Sequence, residues 1–144
     1  MTPELDMEDA IVGYLKTQIP TAEVEALGST DMKNDNEIEA RAERNSNGYI
    51  VVYHTEGDPD ESIANYSNVV VNEKFIINIF SKNRRDRDGI YELVNTVRQK
   101  LTVFTYSNQK FLYKGHRISP MPLDNGVHLA EVYFELNTFD VFNS

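Results

Sequence analysis

The hydrophobic period changes twice along this chain, and that switching limits the fold more than any other feature. Between Ser67 and Ser81 apolar residues alternate, with Val69, Val71, Phe75, Ile77 and Ile79 on one parity and Val70, Ile76 and Phe80 on the other. Alternation of this kind makes a β-strand. From about Asp86 or Asp88 to Val103 the spacing becomes three and four, through Ile90, Leu93, Val94, Val97 and Leu101. That stripe is one face of an amphipathic helix. From Val127 to Phe139 alternation returns, with Ala130, Val132, Phe134 and Leu136 opposed to Val127, Leu129 and Tyr133. Strands and a helix with apolar sides must bury those sides against one another.

The remaining segments fill in the order. Met7, Ala10, Ile11, Tyr14 and Leu15 stripe a first helix over Leu5 to Gln18, with acids in its early turns and Pro20 as its stop. Gly13 in its middle suggests close approach of another backbone. Thr21 to Leu27 alternates as a short strand, and Asn34 to Arg44 suits a short helix with acids first and arginines last. Its thin apolar content leaves that helix exposed or paired outside the chain. Tyr49 to Thr55 is β-branched and aromatic, as in a strand covered on both faces. Lys110 to Tyr113 and His116 to Ser119 are short strands around a turn at Gly115, and Asp124-Asn-Gly126 turns into the last strand. The order α-β-(α)-β-β-α-β-β predicts one α+β domain over residues 1–144. Its sheet is mixed, with about five strands and two main helices on one face.

Composition excludes several functions. With no cysteine among 144 residues there is no disulfide framework, thiolate zinc site or cysteine nucleophile. No apolar run exceeds five residues and the N-terminus is acidic, so the expectation is a soluble cytoplasmic protein. The formal net charge of −9 opposes general nucleic-acid binding. Phosphate loops, dinucleotide fingerprints, nucleophile elbows and metalloprotease motifs are absent, and the seven glycines are scattered singly. His54, His116 and His128 share no ligand spacing, although neighbouring strands could gather two of them with Asp124. The expectation is no enzyme activity and no cofactor or metal.

One segment stands against the acidic background. Lys82-Asn-Arg84-Arg85-Asp-Arg87 places four cations in six residues where the long strand meets the second helix. Cations at a helix N-terminus oppose its dipole. The run reads as a solvated turn, as a contact patch for an acidic surface, or as a phosphate contact. An acidic Pro/Gly loop, with Glu56, Asp58, Asp60 and Glu61, is the natural complement, as is the acidic first helix. Phe139, Val141 and Phe142 stand at or past the end of the last strand, where exposed apolar residues make an interaction site.

This order of elements resembles the phage tail terminator and completion proteins, including the Mu-like tail proteins and the minor tail protein U type. The resemblance rests on the first helix ending at a proline and the strand Val24-Glu-Ala-Leu27. It continues through Tyr49 to Tyr53, the long strand Val69 to Ser81, the Arg/Asp-rich turn before the helix ending near Leu101, and Ala130-Glu-Val-Tyr-Phe-Glu135 in the last strand. It implies a homo-oligomeric ring, usually hexameric, that caps the tail tube and receives the head connector. It also implies assembly in the bacterial cytoplasm and a final place in the virion tail. Lys82, Arg84, Arg85 and Arg87 are then expected to form one subunit face. In a head-to-tail ring a basic face can meet an acidic one.

Overall fold

A computed structural model describes residues 3–27, 35–45, 47–59, 68–123 and 125–141. Helix α1 (Pro3–Gln18) is followed by strand β1 (Glu23–Ala26), helix α2 (Asp35–Arg44) and strands β2 (Tyr49–Pro59) and β3 (Asn68–Ser81). Helix α3 (Ile90–Thr102), a hairpin of β4 (Thr105–Tyr106) and β5 (Gln109–Lys110), and strands β6 (Leu112–Ile118) and β7 (His128–Val141) complete the chain. Five strands form one mixed sheet in the order β1-β2-β3-β7-β6, in which β1 runs parallel to β2 and every other pair is antiparallel.

Helices α1 and α3 lie on one face of this sheet, as the two apolar stripes require. Met7, Ile11 and Leu15 of α1 meet Ile90, Leu93, Val97 and Leu101 of α3 over Ile50, Val52, Ile77, Val132 and Phe134. Tyr14 closes the seam at the far end of α3, where its hydroxyl donates to the Lys100 carbonyl at 2.8 Å and its ring stacks on Phe104. Gly13 does not mark a close approach: it faces solvent, and a Cβ there would meet nothing within 4 Å.

The opposite face holds α2, and here the sequence expectation needs correction. α2 is neither exposed nor dependent on another chain. Ala42 is fully buried against a second cluster of Tyr49, Val51, Phe80 and Val127, with Ile38 packed beside it. Arg41 ties α2 to β1 through Glu25, and Asn45 bonds the Glu23 carboxylate. β2 is therefore covered on both faces, as its unbroken apolar run predicts.

Other parts of the sheet also depart from expectation. The acidic segment from Glu56 is no loop at its start: β2 continues to Pro59, with Glu56 opposite Lys74 and Asp58 opposite Asn72. β2 carries an irregularity between His54 and Glu56, while β3 pairs with β7 without interruption. Phe139 lies inside β7, paired with Val70, while Val141 stands at its end, paired with Asn68. Gly115 (φ 115°) is a bulge inside one strand, β6, rather than a turn between two. The β4–β5 hairpin was not foreseen. It turns at Ser107 and Asn108, both left-handed, a pairing suited to a two-residue hairpin.

Candidate interaction surfaces

The basic segment is a built turn. Ser81 Oγ donates to the Asp88 carbonyl at 2.7 Å and accepts from the Asn83 amide at 3.2 Å. The Gly89 amide donates to the Asp86 carbonyl at 2.8 Å, and the Ile90 amide to Asn83 at 2.9 Å. Asp88 is left-handed and Gly89 is extended, so α3 opens at Ile90 and not at Asp86 or Asp88. The cations thus precede the helix by three residues or more, which weakens the dipole conflict.

The four cations divide into two roles. Lys82, Arg85 and Arg87 are exposed. Arg84 is turned inward: one guanidinium nitrogen donates to the Ser119 carbonyl at 3.0 Å and the other to the Tyr91 hydroxyl at 3.1 Å. Its guanidinium also sits 5.2 Å from the Tyr91 ring centroid. Arg84 therefore fastens the turn to α3 and to the β6–β7 connection, and the other three cations form the basic face. Tyr91 and Met121 stand out beside it, 48% and 73% exposed.

The acids lie away from this turn, beside the middle of β3. The Glu8 carboxylate of α1 accepts from the His54 amide at 2.7 Å, and the Glu73 carboxylate pairs with His54 Nε2. Both carboxylates are buried. Glu8 anchors the start of α1, which carries exposed Asp6 and Asp9, to β2 two residues before exposed Glu56. Glu56 also holds Lys74 at 3.3 Å, which offsets part of its charge. Lys82 follows the last residue of β3, eight residues beyond Lys74, about 26 Å at roughly 3.3 Å per residue. The basic turn thus caps one end of β3 and β7, while Glu56 lies beside their middle. Asp60, Glu61 and Phe142 lie outside the described residues, and the side chains of Asp58 and Phe139 do as well.

The histidines are kept apart. His54 is on β2, His116 bonds the Tyr113 hydroxyl through Nδ1 on β6, and His128 opens β7 opposite Ser81. Among the described residues no cluster of three His, Cys, Asp or Glu could hold a metal ion. No helix among them is long and apolar enough to cross a membrane. A shallow hollow of about 440 Å³ lies beside β1, lined by Lys16, Pro20, Glu23, Glu25 and Asn45. Its carboxylates already serve the fold, with Glu25 accepting from Arg41 and from the Tyr49 hydroxyl at 2.7 Å. Burial, reinforced by Glu25, pushes the Tyr49 hydroxyl well above the ordinary tyrosine range.

No family model and no curated protein matches the chain. A solved structure from Akkermansia muciniphila aligns with 96% of this chain and 78% of its own at 13% identity, with a TM-score of 0.45. A core domain from the same organism aligns with 94% of this chain and 85% of its own, at 13% identity and a TM-score of 0.40.

Proposed function

We propose that this chain is a structural subunit that joins copies of itself head to tail into a ring of the tail-terminator type. Such a ring closes the end of a tail tube and presents a platform to the head connector. In this reading the chain is made in the bacterial cytoplasm, ends in the virion tail, and does no chemistry of its own.

The observation that carries the reading is the separation of charge. Lys82, Arg85 and Arg87 stand in the turn at one end of β3, while exposed Glu56 lies beside the middle of that strand and exposed Asp6 and Asp9 on the helix that Glu8 ties to His54. Copies carrying −9 each repel one another in most orientations. Basic surface against acidic surface is the approach that escapes this. Such a contact is heterologous, and it closes into a ring when the rotation per subunit divides the circle.

Electron microscopy of the purified chain at low ionic strength, alone and with uncapped tail tubes, tests the proposal. The expected result is closed rings of one subunit number, seated on tube ends when tubes are present. Particles of monomer size that leave the tube ends bare would contradict it, and would favour a monomeric adaptor.

A further inference from the structure

Charge alone makes a poor adhesive, because exposed ion pairs gain little and are screened by salt. It steers and orients, while affinity comes from an apolar centre that excludes water. Both charged surfaces carry exposed apolar side chains. At the basic surface Tyr91 and Met121 are linked through Arg84, which holds the Tyr91 hydroxyl and the carbonyl of Ser119, two residues before Met121. Exposed Lys82, Arg85 and Arg87 belong to the same turn as Arg84. At the acidic surface Leu5 is 49% exposed, one helical turn before the anchoring Glu8 and near Asp6 and Asp9 on α1.

We infer that Leu5 of one copy packs against Met121 and Tyr91 of the next, with Asp6 and Asp9 meeting Lys82, Arg85 and Arg87 around that contact. The occupant is a second copy because both halves of the match, apolar centre and charged rim, are present on this one chain. Arg84 touches nothing across the contact. It is a positioning residue that presents Tyr91 and fixes the turn. The inference rests on the self-association proposed above and specifies which surfaces make it.

A chain without cysteine makes the test direct. Leu5→Cys and Met121→Cys, both at exposed sites, are prepared singly and oxidised at low ionic strength, alone and mixed. Their circular dichroism is compared with that of the parent chain, and sedimentation is recorded alongside. Tyr91→Cys paired with Leu5→Cys gives a second reading of the same contact. The expected result is a covalent dimer in each mixture, at least ten times more abundant than in any single variant alone. Assembled protein whose mixtures yield no such excess overturns this contact and leaves self-association standing. A chain that sediments as a monomer at every concentration overturns both.

Discussion

A Cβ built on Gly89 would stand 2.6 Å from the Asp86 carbonyl oxygen and 3.1 Å from the Arg84 carbonyl. Both obstacles are backbone, so the turn itself has to move to admit a side chain. Gly89→Ala is expected to cost about 1–3 kcal/mol in urea unfolding, in line with other substitutions that overpack a filled site. Gly13→Ala should do the reverse, because Gly13 is helical, faces solvent and has open space around it. A gain of up to about 1 kcal/mol follows from helix propensity and the less flexible unfolded chain. Tyr49 sets a different sensitivity. Burial first, and then Glu25, raises its hydroxyl above the ordinary value, and burial raises Tyr53 and Tyr133 in the same direction. The folded state thus favours the neutral phenol, so stability is complete below the unfolded tyrosine value near about 10 and is lost as pH climbs beyond it. Urea midpoints should fall steeply above that pH. Tyr49→Phe should flatten the fall while costing about 1 kcal/mol at neutral pH through the lost hydrogen bond.

Among elements, the basic turn and α2 show how far local pattern reaches. The stripes of α1 and α3 and the alternation in β3 and β7 are local signals, so their faces follow from spacing alone. The role of α2 does not, because its buried contact is a single small residue, Ala42, whose partners Tyr49 and Val51 lie on the sheet. Gly57, Asp58 and Pro59 carry turn chemistry in the sequence. They remain extended because residues 71–73 of β3 supply a continuous ladder opposite them, a partner that composition does not reveal. In the candidate site the cations are visible as charges, and three of them do face outward. Arg84 is hidden by distance along the chain: its acceptors are on Tyr91 and, 35 residues away, Ser119. The tie of α1 to β2 is hidden too, since it depends on Glu8 reaching the His54 amide from 46 residues away. Arg84→Ala should release the turn from α3. Amide exchange at Gly89 and Ile90, whose protons point at Asp86 and Asn83, is expected to accelerate while amides in β3 and β7 keep their protection. Unchanged exchange at those two amides would show that Arg84 does not hold the turn.

For the whole molecule, one asymmetry organises the account: an acidic chain with one basic turn at the end of its longest strands and exposed acids beside their middle. The outer strands of the sheet are short or irregular, four residues in β1 and a bulged β6 carrying Lys114 and Arg117. Such outer strands discourage joining through them. The most direct measurement is sedimentation across a salt series of two charge-reversed variants, Arg85→Glu/Arg87→Glu and Asp6→Lys/Asp9→Lys, alone and mixed. The unaltered chain should associate at low salt and dissociate as salt rises. Each variant alone should remain monomeric, and the mixture should form a complex through its reversed charges. Association that is indifferent to both reversals and to salt, or an unaltered chain that never associates, would contradict the account.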